Sequence, residues 1–223
     1  MQNLSDFFSI QKGITALIGG GGKTSTMYAL AEELRKKGSV LVCTSTHIQK
    51  PEQYPYLPCL SEKLPAGAAV STGCYDGKKL SLPVQSFDAL TEFADYVLVE
   101  ADGSKQLPLK AHAKHEPVIP ERSKKVLVVI GIDGLGRPIR DVAHRPELFA
   151  SIVHADGDTP VTAEMIHRVV CSYPRCDGII INKADDPDRI RKAETLAALF
   201  DVPVAITAWQ TKDPIKAYRR KQL

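Results

Sequence analysis

Short runs of Val and Ile alternate along the chain with longer stretches in which apolar positions recur at helical spacing. A strand buried on both faces reads as an unbroken apolar run, whereas a covering helix shows one apolar stripe, so the alternation predicts a mainly parallel sheet covered by helices. The predicted strands are Ile14 to Ile18, Val40 to Thr44, Tyr96 to Glu100, Val126 to Gly131, Gly178 to Asn182 and Val202 to Thr207. Between the first two, Thr24 to Lys37 is rich in helix formers and is followed by Gly38, a residue favoured just past a helix end. Asp186 as a cap with Pro187 in the first turn predicts a helix through Leu196 to Phe200, and further helices are expected from Thr162 to about Val170 and from Ser86 to Ala94.

Two stretches depart from the alternation. Gly67 to Thr72 and Lys79 to Leu82 flank Tyr75-Asp76-Gly77-Lys78, and Asp-Gly between short strands predicts a hairpin insertion over residues 67–82. Ser104 to Pro120 carries Pro, His and Lys without periodicity, and a loop of that length inside a compact domain is usually functional. A helical excursion is expected over residues 141–176, and the absence of repeats or a linker predicts a single domain over residues 1–223.

Composition narrows the partners. The charged residues, 29 basic against 26 acidic, leave a net charge of +3, too balanced to imply nucleic acid or an anionic membrane as the main partner. The basic cluster Arg219 to Lys221 reads as solvated surface. No apolar run approaches the length of a membrane span, and the first residues lack the basic start and apolar core of a secretory signal, which predicts a cytoplasmic protein. Cys43, Cys59, Cys74, Cys171 and Cys176 are scattered and odd in number, and are expected to be reduced and structural. Cys171 and Cys176, on either side of Tyr173-Pro174, are the one conceivable metal or redox pair.

The sharpest chemical signal is Gly19-Gly20-Gly21-Gly22-Lys23-Thr24-Ser25 between a predicted strand and a predicted helix. Glycines permit the dihedrals that turn successive N–H groups toward one point, and the helix start adds its own free N–H groups and positive dipole end, which together make a phosphate-binding loop. Lys23 supplies the cation for the β- and γ-phosphates and the Thr24 hydroxyl is a ligand for the nucleotide's Mg²⁺. The commoner Gly-x-x-x-x-Gly-Lys-Thr form would place glycine at position 17, where this chain has Leu. The shorter Gly-x-x-Gly-Lys-Thr is the form found in Mur ligases and some small-molecule kinases. The predicted fold is therefore a three-layer α/β, P-loop NTPase-like domain.

Glu100 and Asp102 close the third parallel strand, at the sheet rim where open α/β folds bind ligands. They are candidates to hold Mg²⁺ and to orient a nucleophile, with an acidic surface turn as the alternative. Asn182-Lys183-Ala184-Asp185 ends another strand and matches the Asn-Lys-x-Asp guanine signature, in which the aspartate accepts from the base and the lysine stem packs over its ring. Asp185 and Asp186 also read as a helix cap. Within Lys105 to Glu121, His115 and Glu116 are candidates for proton transfer or substrate binding, an exposed basic loop being the alternative. Thr44-Ser45-Thr46-His47 and Gly131 to Arg137, each at a strand end, are weaker candidates.

These residues resemble the YqeC-like family, accessory proteins of selenium-dependent molybdenum hydroxylases. The matching stretches are residues 19–24, Thr-Ser-Thr-His at 44–47, Glu-Ala-Asp-Gly-Ser at 100–104, Leu-Lys-Ala-His-Ala-Lys-His-Glu-Pro-Val-Ile-Pro at 109–120, His-Arg-Pro-Glu at 144–147 and Asn-Lys-Ala-Asp at 182–185. Family members often read Gly-Ala-Gly-Gly-Lys-Thr with a threonine run, from which Gly20 and Ser45 depart mildly. The resemblance implies a nucleotide-binding role in maturing or inserting a molybdenum cofactor, with a molybdenum hydroxylase or a cofactor intermediate as partner. Glu100 and Gly103 also fit the Glu-x-x-Gly spacing of the metallochaperone GTPases of urease and hydrogenase maturation. The expected activity is Mg²⁺-dependent hydrolysis of a nucleoside triphosphate, with GTP preferred. The alternatives are an ATP-dependent transferase of kinase or ligase type acting on a small acceptor, and a nucleotide-gated binding module with little turnover.

Overall fold

The computed structural model describes residues 3–50 and 52–220, so Lys221 of the basic cluster lies outside the described residues. The fold is α/β, with a mainly parallel eight-stranded sheet flanked by helices. The chain divides into two compact units: the chain up to Ile18 with Thr24–Gly103 and Pro117–Val126, and Gly19–Lys23 with Ser104–Glu116 and everything from Leu127 onward.

In chain order, the first unit carries α1 (Leu4–Phe7), β1 (Gly13–Gly19, its last residue excepted), α2 (Lys23–Leu34, its first residue excepted), β2 (Val40–Thr44), β3 (Ile48–Gln49), β4 (Ala69–Ser71), β5 (Lys79–Leu80), α3 (Phe87–Phe93) and β6 (Tyr96–Glu100). Its strands β1, β6, β2 and β4 lie side by side in that order, all parallel, with Leu17 and Thr44 both opposite Glu100. β2 and β6 are buried at every position, which is why they read as continuous apolar runs. Helix α2 turns Met27, Leu30, Ala31 and Leu34 inward at the i, i+3, i+4, i+7 spacing of one stripe.

The expected hairpin is corrected by the structure. Ala69–Ser71 is a parallel edge strand of the main sheet, not a hairpin arm, because its apolar residues are buried beside β2. The Asp76 turn is present, with Asp76 Oδ1 accepting from the N–H groups of Lys78 and Lys79, and the paired arms are short: Cys74 N donates to Leu82 O and Ser81 N to Cys74 O. β5 then pairs antiparallel with β3. Gly38 does not cap α2 in a left-handed conformation either. It lies four residues beyond Leu34, and a Cβ there would fall 2.5 Å from Asp95 Oδ2, so a larger residue would have to displace the Asp95 carboxylate.

The second unit carries β7 (Leu109–Lys110), β8 (Lys125–Gly131, from Leu127), α4 (Ile139–Val142), β9 (Ala143–His144), α5 (Pro146–Val153), α6 (Ala163–Cys171), β10 (Gly178–Asn182), α7 (Pro187–Ala197), β11 (Val204–Thr207) and β12 (Ile215–Arg219). β8, β10 and β11 are parallel neighbours, and β12 closes this half antiparallel to β11. Thr162 caps α6 by accepting from Met165 N, and Asp186 caps α7 by accepting from Arg189 N. Ser104–Glu116 is tied down by β7, which pairs parallel with β9.

Among the described residues no helix is long and apolar enough to cross a membrane, all five cysteines are free thiols, and no group of three or more His, Cys, Asp or Glu side chains is placed to hold a metal ion. Cys171 Sγ lies 3.4 Å from His167 Nε2 on the same helix, and burial pushes the Cys176 thiol up to about 12.

Candidate functional site

In the second unit the glycine loop is a bent and tightly seated segment. Gly19 and Gly21 hold φ of 99° and 74°, and a Cβ at Gly21 would fall 2.1 Å from Gly131 N, so neither conformation nor space admits a side chain. The loop is fastened by backbone bonds from Gly20 N to Val129 O (2.9 Å) and from Gly21 N to Leu107 O (3.0 Å). Lys23 is buried and arches back over the loop, its Nζ donating to Gly19 O at 2.7 Å and to Ser104 Oγ at 3.2 Å. An ammonium held in that position can exchange such acceptors for phosphate oxygens.

The end of β10 is brought to the same loop. Asn182 Nδ2 donates to Gly21 O at 2.8 Å, while its Oδ1 accepts from Thr207 Oγ1 at 3.2 Å, so the first residue of the Asn-Lys-Ala-Asp stretch clamps loop to strand. Thr207 was not singled out from the sequence, and the available signal was a hydroxyl ending the next predicted strand. Lys183 takes the left-handed φ of 66° and pairs with Asp133 Oδ2 at 2.8 Å. Asp185 is exposed and bound by Arg189 Nη1 at 3.0 Å, one helical turn on.

In the first unit the Thr24 hydroxyl donates to Glu100 Oε2 at 2.8 Å, which joins two of the three expected Mg²⁺ ligands. Glu100 is buried, and its carbonyl accepts from Thr44 Oγ1 (2.8 Å) and Ser45 N (3.1 Å), so β2 positions the strand end. Burial, then the Glu100 charge, push the Tyr28 phenol up to about 12. Asp102 is fully buried two residues on, in a bend beyond Ala101, whose N–H still bonds Leu17 O. Ser25 is exposed on α2, and Ser45 Oγ is buried with no hydrogen-bond partner among the described residues.

His115 and Glu116 belong to an ionic cluster of the second unit. Glu116 takes Lys110 Nζ on Oε1 (3.2 Å) and Arg145 Nε on Oε2 (2.9 Å), and Arg145 Nη2 lies 3.5 Å from His115 Nε2. Burial works to raise the Glu116 carboxyl, but the Arg145 hydrogen bond and the Lys110 charge outweigh it and hold the group below its usual range. A carboxylate so held is a weak base and a strong anchor for cations.

The family model described as YqeC protein matches residues 15–147, which takes in the glycine loop, Glu100, Asp102 and the ionic cluster up to Arg145. The chain belongs to the YqeC family. It is 35% identical over 161 residues to the uncharacterized protein YqeC of Escherichia coli (strain K12), a match covering 66% of this chain and 62% of that relative. The chain thus spans less than two thirds of the length of the curated relative it matches. No solved structure matches the chain. Asn182 to Asp185 and Thr207 lie beyond the matched YqeC segment, so the clamp on the loop is an observation of the structure alone.

Proposed function

We propose that the protein binds and hydrolyses a nucleoside triphosphate, preferentially GTP, with Mg²⁺, in support of maturing or inserting a molybdenum cofactor of selenium-dependent hydroxylases. The observation that carries the reading is Lys23, buried and arched over a glycine loop that Asn182 clamps from the guanine-type motif. In a P-loop NTPase-like fold, Lys23 and the N–H groups at the loop's end receive the phosphates. Asp185 would accept from a guanine after leaving Arg189, and the exposure of that ion pair supports the reading because such an exchange costs little.

A hydroxyl and a carboxylate 2.8 Å apart, Thr24 and Glu100, are the hard oxygen donors that Mg²⁺ takes, and Asp102 is the third candidate. Mg²⁺ would neutralise charge on the phosphate oxygens. Glu100 orients the Thr24 hydroxyl, and β2 fixes Glu100 through its carbonyl. The nucleotide-gated module is the second reading, favoured by the bond from Gly21 N to Leu107 O, which links the loop to the Ser104–Glu116 segment.

The test is a titration of GTP and ATP with Mg²⁺, followed by phosphate release. Lys23→Ala should weaken nucleotide binding by about 10²-fold or more, the scale of a lost charged contact. Asp185→Ala should weaken GTP and leave ATP unchanged. Full affinity in Lys23→Ala sinks the loop assignment, equal affinity of the unaltered protein for both nucleotides sinks the GTP preference, and nucleotide binding without phosphate release selects the gated module.

A further inference from the structure

The ionic cluster carries more cationic and ring nitrogen groups than the nucleotide reading uses. Its geometry begins with β7, only two residues long, in which Lys110 is opposite His144 of β9 and the Tyr173 hydroxyl donates to Lys110 O at 2.7 Å. That register brings Arg145, the next residue, to Glu116, which binds the guanidinium through Nε at 2.9 Å. The Nε edge is thereby fixed, and the terminal nitrogens are met by His115 only at 3.5 Å, a weak contact. A guanidinium held by one edge presents its fork in a set direction, the form that receives a phosphate or carboxylate with two parallel bonds.

His144 supplies the second observation. Its Nδ1 is buried and has no hydrogen-bond partner among the described residues, an exception in a native fold that a bound ligand or water would account for. Burial first, then the positive charges of Lys110 and Arg145, hold this imidazole below its ordinary value, with Lys105 adding to them and Glu116 opposing. An uncharged ring can offer Nδ1–H as a donor at neutral pH. Arg145 also holds a left-handed φ of 66°, at the kind of strained position that clusters in ligand sites.

We propose that Arg145, His144 and His115 form a binding site in the second unit for an anionic group, a phosphate or a carboxylate, of a small molecule. Glu116 is its positioning residue: it aims Arg145 and competes with the incoming anion for the same charge. The site is joined to the glycine loop through one short segment, since Leu107, whose carbonyl accepts from Gly21 N, stands two residues before β7. If the nucleotide reading holds, this anionic molecule is the acceptor or cargo on which nucleotide occupancy acts. The site itself requires no nucleotide.

The experiment is calorimetric titration of the Lys23→Ala protein, which removes the loop's own cation, with inorganic phosphate and separately with malonate, at constant ionic strength set by chloride. Saturable binding of at least one is expected, and which one saturates separates a phosphate ligand from a carboxylate ligand. Arg145→Gln in that background should weaken binding by about tenfold or more, as expected for loss of a forked charged contact. His144→Ala, which leaves both ion pairs in place, should weaken it severalfold, and Glu116→Gln should tighten it. A merely structural role for these side chains would not produce opposite signs. Failure of both anions to saturate overturns the proposal, as does parent affinity in both Arg145→Gln and His144→Ala. Nucleotide binding by the unaltered protein is a separate measurement, so the two readings can fail independently.

Discussion

Two regions of the second unit fasten the chain by different physics. Apart from the Lys23 ammonium on Gly19 O, the glycine loop is held by uncharged groups: Asn182 on Gly21 O, Thr207 on Asn182, and backbone N–H groups of the loop on Val129 and Leu107. The Lys110–Glu116–Arg145 cluster is held by charge, with a lysine side chain that is 0% exposed and a carboxylate 12% exposed. The bonds among Asn182, Thr207 and the loop backbone involve no titrating group, so they depend little on pH and salt. An ionic cluster is strong but conditional, because its strength depends on protonation and on which anions are present.

The largest effect should come from breaking the ionic side. Glu116→Ala leaves a fully buried Lys110 and a half-buried Arg145 without this carboxylate, and should cost about 3–5 kcal/mol in denaturant unfolding at neutral pH. The pH dependence sharpens it. The folded Glu116 carboxyl lies below its ordinary value of 4.5, so its stabilisation is present above that value and is lost as pH falls through the depressed folded value. Glu116→Ala should therefore remove part of the acid slope of stability as well as lowering the plateau. An unchanged slope would mean that the carboxylate is not coupled to its cations.

The two regions were also unequally legible in the sequence. β2, β6 and β10 appear at their predicted bounds, because a strand buried at every position leaves an unbroken apolar run. The loop was legible as glycines before Lys-Thr, since its bends are local conformations that glycine permits. The cluster was legible only in part: His115 and Glu116 stood out as candidates, but Arg145, which binds Glu116, is 29 residues away and is brought near by a two-residue strand pair too short to carry a pattern. β12 escaped notice because Ile215–Arg219 is half-buried and mixes charged with apolar positions. α1 escaped because its four residues are held by side-chain acceptors, Asn3 taking the Asp6 N–H and Glu33, from α2, taking the Leu4 and Ser5 N–H groups. The expected arm at residues 67–72 went to the parallel sheet because burial of Ala69 and Val70 beside β2 outweighed the local turn signal.

On the neutral side, Asn182→Ala should cost about 1–3 kcal/mol, since it leaves the buried Gly21 carbonyl and the Thr207 hydroxyl without their partner. The loss should be flat with pH where the Glu116 effect is steep, because no titrating group is removed. The same variant should weaken nucleotide binding, by releasing a loop whose shape the amide fixes. A loss of stability that grows toward acid pH would show that the clamp is electrostatically coupled and would erase the contrast between the regions.

The smallest effect, and the finest test, is Thr207→Val, which keeps the branched shape at the end of β11 and deletes only the hydroxyl. Thr207 is fully buried and donates to Asn182 Oδ1 at 3.2 Å, a long bond between neutral groups, so the expected cost is about 0.5–1.5 kcal/mol. Its interest lies in the double-mutant cycle. If Thr207 acts by orienting the Asn182 amide, so that Nδ2 rather than Oδ1 faces Gly21 O, the loss should largely vanish in an Asn182→Ala background. It should also be accompanied in the single variant by weaker nucleotide binding, although Thr207 is not placed on the nucleotide. Additive losses in the cycle, with nucleotide affinity unchanged, would make the hydroxyl a local packing detail. The clamp would then consist of Asn182 alone, its amide oriented by the Gly21 carbonyl it holds.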